Sequence, residues 1–494
     1  MVSARPLFEL LEDLRETEIR GDPAVPVSGV TYRSSEVVRG SLFICVPGSR
    51  RDGHDFAGEA AAVGASAAMV ERWLDLPPSV TQVRVPTVRT GMGPVAAVFY
   101  GRPAERLLLI GVTGTNGKTT TTYLLERVFE AAGMRAGVIG TTGVRMAGRP
   151  VPIERTTPEA PDLHHLLADM VEDGIGAVAM EVSSHGLHQH RVGGARFDCA
   201  VFTNLSQDHL DYHGTLDEYF RAKSLLFTPE MTDRAAINHD SPQGRELIRE
   251  DLPTLTYGLD PGADVRATDV RLRPDGVAFR VGDLEVWSRL RGAFNVHNSL
   301  AALTAARQVG IGDGVAASGL AALPGVPGRF EPVDAGQPFQ VLVDYAHTPD
   351  SVENVLRAAR PLAAGGRLLV VLGCGGDRDR GKRPLMGEAA TRLADLAVLT
   401  SDNPRSEDPG AIIAEIEAGA RRGGGRYAVE ADRRAAIRLA LEEARPGDVV
   451  VIAGKGHETG QEFADRTIPF DDRLVAGEEL EALRGDGPSA GRER

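Results

Sequence analysis

The 494-residue sequence has no uninterrupted apolar run near the ~18 residues that a membrane-spanning helix requires, so insertion into a membrane is not expected. Cysteine is scarce. Cys45, Cys199 and Cys374 are odd in number, far apart and in no C-x-x-C pair, which argues against a disulfide framework or a thiolate metal site and fits a reducing cytoplasm. Basic charge is also short, with 55 Lys plus Arg against 69 Asp plus Glu and a net charge of −14, which disfavours nucleic acid as the main partner. The amino-terminal stretch through Arg20 is acidic and amphipathic (Leu7, Phe8, Leu10, Leu11, Leu14), unlike the basic and then apolar layout of a signal peptide. No internal repeat stands out. Glycine is the excess: its 57 residues are about 11.5% of the chain against a usual ~7%, the mark of many tight loops.

At roughly 100–200 residues per domain, the length predicts about three domains. Two breaks rich in glycine and proline supply boundaries: Gly101-Arg102-Pro103, and Leu323-Pro324-Gly325-Val326-Pro327-Gly328. They divide the chain into 1–103, 104–327 and 328–494, with the polar tail 485–494 expected to be disordered. The second segment opens on Leu107-Leu108-Leu109-Ile110-Gly111-Val112, a continuous apolar run suited to a buried parallel strand. A glycine-rich turn and a helix over 119–132 follow, ended by Gly133. The third segment alternates strand and helix, as a doubly wound α/β sheet does.

Gly111-Val112-Thr113-Gly114-Thr115-Asn116-Gly117-Lys118-Thr119-Thr120 therefore lies between a buried strand and a helix start. Backbone N–H groups of such a turn converge on phosphate oxygens, Lys118 can reach the terminal phosphates, and Thr119 is placed to hold magnesium. Val112 departs from the general pattern G-x-x-x-x-G-K-[ST], which has glycine there, and a turn that binds nothing is the bland alternative. Glu181, at the end of the apolar run Ala177-Val178-Ala179-Met180, is a plausible hard ligand for Mg²⁺. His209 falls in Asn204-Leu205-Ser206-Gln207-Asp208-His209, where one histidine taken alone is more often structural. Lys223, in Tyr219-Phe220-Arg221-Ala222-Lys223-Ser224, reads by itself as a helix-surface lysine.

T-G-T-N-G-K-T-T resembles the ATP loop of the Mur ligases and folylpolyglutamate synthases, ATP-dependent amide ligases of one superfamily. The resemblance runs over residues 28 to 475, with several motifs in the family's order. It implies an α/β chain of three domains: an amino-terminal uridine-binding domain, a central parallel-sheet P-loop ATPase domain and a carboxyl-terminal Rossmann-like domain. It also implies a reaction. ATP phosphorylates a substrate carboxylate, and an amine displaces phosphate from the acyl phosphate to form an amide. On this analogy Lys118, Lys223 and His209 are catalytic, and Thr119, Glu181, His209 and a carbamylated Lys223 hold Mg²⁺. ATP would meet Gly114, Thr115, Asn116, Gly117, Lys118, Thr119 and Thr120, together with Asn295, Asn298, Arg329 and Asp344.

Further motifs point to the branch of the family that extends the peptidoglycan stem by its third residue. Thr156-Thr157-Pro158, Ser183 in Glu181-Val182-Ser183-Ser184-His185, and Gln189-x-Arg191 resemble the site for UDP-N-acetylmuramoyl-L-alanyl-D-glutamate. Ser34 and Ser35 fall in the region resembling the uridine site, where the family's common D-S-R order is altered. Asp402-Asn403-Pro404-Arg405 resembles the D-N-P-R mark of enzymes that add meso-diaminopimelate rather than L-lysine. Arginine's planar fork suits the extra carboxylate of that substrate. Arg378, Gly454 and Glu458 would complete the site, with Glu458 against the distal ammonium. The expected partners are ATP, the UDP-muramyl peptide and meso-diaminopimelate, with no nucleic acid, in a cytoplasmic monomer. The rivals are a sister ligase of the superfamily and a nucleotide-binding scaffold with a dead site.

Overall fold

Leu108–Thr113, Ala177–Glu181 and Cys199–Phe202 are apolar on both faces, so they can form only a sheet covered by helices on each side. In the computed structural model, which describes residues 3–48, 51–151, 153, 155–273, 275–363 and 365–485, they lie side by side at the centre of a nine-stranded sheet. Residues 486–494 of the tail expected to be disordered lie outside the described residues. Seven strands of that sheet, from Ala136–Gly140 across to Val265–Arg266, run parallel, and the antiparallel pair Gly143–Met146 and Arg149–Val151 extends one edge. Helix Lys118–Ala131 buries Leu124, Leu125, Val128 and Phe129 against it.

A five-stranded sheet precedes it, with Gly29–Thr31, Ser41–Ile44, Ala67–Val70 and Thr81–Arg84 parallel and Glu18–Arg20 antiparallel at the edge. A six-stranded sheet follows, in the order Glu331–Pro332, Gln340–Asp344, Val449–Ala453, Leu368–Cys374, Leu396–Ser401 and Tyr427–Val429, parallel except for its first strand. A three-stranded antiparallel sheet, Thr268–Arg273, Gly276–Val281 and Leu284–Ser288, was not anticipated from the sequence; its first strand is exposed along its whole length and carries only two apolar residues, Val270 and Leu272. Ligands of open α/β sheets collect outside the carboxyl ends of the strands. Gly114, Glu181, Asp344, Gly375, Asp402 and Gly454 all stand at such ends.

One buried ion pair ties the third sheet to the last helix. Arg433 Nε and Nη2 donate to Asp472 Oδ1 and Oδ2 at 2.8 and 2.7 Å, and both side chains are fully buried. The remaining N–H groups reach Ser401 O and Ala453 O at 3.2 and 3.0 Å, so the pair also holds the two strand ends that precede Asp402 and Gly454. Leaving one partner of such a pair uncompensated costs about 3–5 kcal/mol. Asp472→Met is therefore expected to lower the unfolding free energy by that order, read from guanidinium denaturation.

Candidate active site

The turn after strand Leu108–Thr113 is shaped by backbone that only glycine accommodates cheaply. Gly114 and Gly117 have φ of 146° and 86°, and a Cβ on Gly114 would meet Thr203 Oγ1 at 1.9 Å. The neighbouring strand's end holds the turn: Thr203 Oγ1 donates to Asn116 O at 2.6 Å, and Asn204 Oδ1 accepts from Asn116 N at 2.9 Å. Gly114→Ala should thus cost about 1–3 kcal/mol of overpacking and distort the loop. The expected result is a lower melting temperature together with weaker ATP binding by calorimetry.

Two lysines meet at this loop. Lys118 Nζ donates to Gly114 O and Thr115 O at 2.9 and 2.8 Å, and Lys223 Nζ donates to the same Gly114 O at 2.8 Å. Lys223 is 1% exposed, so the surface position expected from the sequence alone does not hold; its helix, Leu216–Ser224, also buries Tyr219 and Ala222. Burial, reinforced by the charge of Lys118, drives the Lys223 amine well below its ordinary pKa. Burial lowers Lys118 too, while Glu181 and Asp208 pull the other way.

Glu181 Oε1 and Oε2 accept from Thr141 N and Oγ1 at 2.9 and 3.1 Å, and Thr141 Oγ1 lies 3.2 Å from Thr156 Oγ1. His209 has a φ of 55°, and burial pushes its imidazole down to about 3, so it stands neutral. Its Nε2 is 3.3 Å from Asp208 Oδ2. Burial alone would raise Asp208, but His347, His209, Lys382 and Lys118 outweigh it and hold the carboxyl well below the usual range. Lys382 Nζ and His347 Nε2, both from the third segment, approach Asp208 at 3.7 and 3.8 Å. Asn116 Nδ2 donates to Asp350 Oδ2 at 2.8 Å, and Arg329 Nη2 donates to Thr119 Oγ1 at 3.0 Å, so the third segment touches the loop directly. Asp344, pushed up to about 6 by burial, accepts from Phe330 N at 2.7 Å beside Arg329.

A cleft of about 510 Å³ joins these groups to the third sheet. Thr115 to Thr120, Thr156, Glu181, Ser183, His209, Lys223 and Arg329 line one side, and Arg378, Asp402, Asn403, Arg405, Gly454 and Glu458 the other. On that far wall Asn403 Nδ2 donates to Glu458 Oε2 at 2.7 Å, and buried Lys455 Nζ reaches Asn403 Oδ1 and Glu458 Oε2 at 2.8 and 3.2 Å. Burial and then the charge of Asp402 raise the Glu458 pKa, against the pull of Lys455. Gly454 has a φ of 117°, and a Cβ there would stand 2.3 Å from Asp402 Oδ2. A second cavity, about 470 Å³, opens beyond Asn116, Gly117 and Thr120 and is lined by Asn298, Asp344 and Arg329.

Some expected site residues stand back from both cavities. Asn295 holds Asn298 Nδ2 at 2.8 Å rather than lining the second cavity. Thr157 is buried behind Ser183, with its Oγ1 accepting from Ser183 N at 3.0 Å. Arg191 Nη2 donates to Gln189 Oε1 at 2.8 Å, and Ser34 and Ser35 sit on a short turn beside the Arg33–Asp162 pair. Asp208, Lys382, Lys455 and Thr141 were not singled out from the sequence, because nothing in its spacing brings them to one cleft. Among the described residues no three His, Cys, Asp or Glu side chains form a metal cage, and no helix is long and apolar enough to cross a membrane.

Sequence models of the Mur ligase family match along the chain: its catalytic domain at residues 26–97, its middle domain at 112–306 and its glutamate ligase domain at 328–456. The UDP-N-acetylmuramoyl-L-alanyl-D-glutamate–2,6-diaminopimelate ligase of Geobacillus thermodenitrificans is 50% identical over 456 residues, covering 90% of this chain and 92% of the relative. The ligase of the same name from Streptomyces avermitilis is 47% identical, with 98% of each chain covered. A solved structure of a ligase of that name superposes with a TM-score of 0.70 at 36% identity, over 97% of this chain and 99% of the other. MurF ligase from Thermotoga maritima in complex with ADP shares the fold, with a TM-score of 0.61 at 20% identity over 92% and 96% of the two chains.

Proposed function

The chain belongs to the Mur ligase family, and from that premise we propose that it joins meso-2,6-diaminopimelate to UDP-N-acetylmuramoyl-L-alanyl-D-glutamate in peptidoglycan precursor synthesis, at the expense of ATP. The observation that carries the reading is the single cleft with the phosphate loop on one wall and Arg378, Asn403, Arg405 and Glu458 on the other. It acts in the cytoplasm as a monomer. Residues 1–103 take the uridine end, 104–327 ATP and the muramyl peptide, and 328–494 the amino acid.

ATP lies with its phosphates on the 114–120 loop and its nucleoside in the cavity lined by Asn298 and Asp344. Lys118 swings from its carbonyl partners to the transferring phosphoryl group, and Arg329 is already 3.0 Å from Thr119 Oγ1. Thr156 and Ser183, in the cleft, take the muramyl peptide, Thr157 braces Ser183 from behind, and Gln189 and Arg191, with Ser34 and Ser35 at the uridine end, extend the site outside the cleft. The substrate carboxylate attacks the terminal phosphorus, ADP departs, and the amine then displaces phosphate from the acyl phosphate.

The donor set suits Mg²⁺, which takes few protein ligands and fills its octahedron with water and phosphate oxygens. Thr119, Glu181 and His209 line the cleft together and would hold it, and Lys223 would join them after its uncharged amine added to CO₂ and lost a proton to become a carbamate. When bound, the metal offsets negative charge on the transferring phosphoryl group. Lys223 as a carbamate would also relieve the two amines crowded on Gly114 O.

The test is phosphate release from ATP in the presence of UDP-N-acetylmuramoyl-L-alanyl-D-glutamate. Meso-diaminopimelate is expected to stimulate it, and L-lysine or D-alanyl-D-alanine is not. Stimulation by lysine alone would overturn the amine assignment, and no stimulation by any amine would favour a scaffold.

A further inference from the structure

The arms of the amine site sit on two loops, 375–378 and 402–405; the first has no secondary structure of its own, and the second is anchored only at its end, where Arg405 bridges Phe463 and its N donates to Glu462 O at 3.0 Å. Backbone contact joins them: Gly376 N donates to Asn403 O at 2.8 Å, and a Cβ on Gly376 would be 1.9 Å from Pro404 O. Arg405 Nη1 donates to Gly376 O at 2.9 Å, and Ser406 Oγ donates to Asp377 Oδ1 at 2.6 Å. Beneath this seam lies Arg383, the second residue of helix Lys382–Leu393 and 0% exposed. Its Nη2 donates to Gly375 O at 3.1 Å and to Glu407 Oε1 at 2.7 Å, and its Nη1 donates to Glu407 Oε2 at 2.9 Å. Glu415, on helix Pro409–Gly423, takes a further bond from Nη1 at 2.9 Å. Glu407 also accepts from Asp377 N at 2.6 Å.

One guanidinium therefore grips the first loop by a carbonyl and the chain just after the second, at Glu407, by a bidentate carboxylate. Only a planar fork can do both at once, and a lysine ammonium would have to give up part of the set. Lys382, the residue before it, stands 3.7 Å from Asp208 of the central segment, so the same helix start also faces the phosphate-loop side.

We propose that Arg383 is a positioning residue for amino-acid specificity: it fixes the separation of loops 375–378 and 402–405, and with it the geometry in which Arg378 and Arg405 meet a distal substrate carboxylate. The proposal rests on the amine-site reading above. A displaced recognition group weakens binding of the substrate it recognises and spares substrates held elsewhere.

The test compares purified full-length wild type, Arg383→Met and Glu407→Gln. For each, KM for meso-diaminopimelate, KM for ATP and the kcat/KM ratio of diaminopimelate to L-lysine are measured beside a melting curve. Both variants are expected to raise KM for diaminopimelate and to lower the ratio by on the order of ten-fold, with KM for ATP changed by less than about two-fold. Glu407→Gln keeps the side-chain shape at a rim position, so it decides the matter if Arg383→Met does not fold. A folded variant with unchanged diaminopimelate KM and ratio overturns the proposal, as does an equal loss in both KM values, which would mark a merely structural role. The wild-type amine preference tests the amine-site reading on its own. If lysine wins there, that reading fails before any variant is measured.

Discussion

Lys223→Arg is expected to lower kcat by on the order of 10³-fold, the scale of losing a charged group that acts on a transferring phosphoryl. The reason lies in the crowding at Gly114 O, where Lys118 Nζ and Lys223 Nζ both donate within 2.9 Å. Two ammonium groups at that spacing in a buried pocket repel, and the cheaper state leaves Lys223 uncharged. An uncharged buried amine has the form that adds to CO₂. A carbamate there would reverse the charge, giving Lys118 a counter-ion and the cleft a further oxygen donor. Arginine stays protonated and cannot make the adduct. Carbon-13-labelled bicarbonate should give a carbamate resonance in the wild type and none in the variant, and stripping bicarbonate should reduce wild-type turnover reversibly. Full activity of Lys223→Arg would remove Lys223 from the mechanism.

The same residue shows where sequence reasoning stops. A lysine on an amphipathic helix reads as solvated, and the contact that changes its meaning lies 109 residues away, at Gly114. The phosphate loop, in contrast, was legible because strand, turn, Lys118 and helix are contiguous and each constrains the next. The strands Leu108–Thr113 and Ala177–Glu181 announced themselves through apolar runs, whereas Ala235–Asn238, Thr254–Gly258 and the exposed strand Thr268–Arg273 were not picked out. The far wall of the cleft was readable as a set of motifs but not as a construction. Arg383, Arg433 and Lys455 are fully or nearly fully buried beneath it, and in sequence each looks like another surface charge. What they bond to comes from strands and helices far along the chain, and no local periodicity encodes that. Asp208 was equally hidden, since its partners Lys382 and His347 lie in a different segment.

Arg405→Ala is expected to cut the preference for diaminopimelate over lysine by on the order of 10²-fold, because a charge-assisted hydrogen bond contributes about 1.5–3 kcal/mol and the fork makes more than one. The side chain is held in place for this proposed task. Its backbone has a φ of 51°, its Nε donates to Glu462 Oε2 at 2.8 Å, and its Nη1 donates to Gly376 O at 2.9 Å. A non-glycine residue in the left-handed region is strained and persists only where its surroundings over-determine it. The two amine substrates share a distal ammonium and differ in the distal carboxylate, so two variants should separate. Arg405→Ala removes the proposed partner of that carboxylate, which only diaminopimelate can use, and kcat/KM for lysine should barely move. Glu458→Gln removes the proposed partner of the ammonium, and kcat/KM should fall for both amines alike. Asn403 and Lys455 remain beside position 458 in that variant, so the loop keeps its hydrogen-bond donors. Selectivity that survives Arg405→Ala intact, with Glu458→Gln selective against diaminopimelate, would place the distal carboxylate at the other end of the cleft and reverse the orientation argued for the bound amino acid.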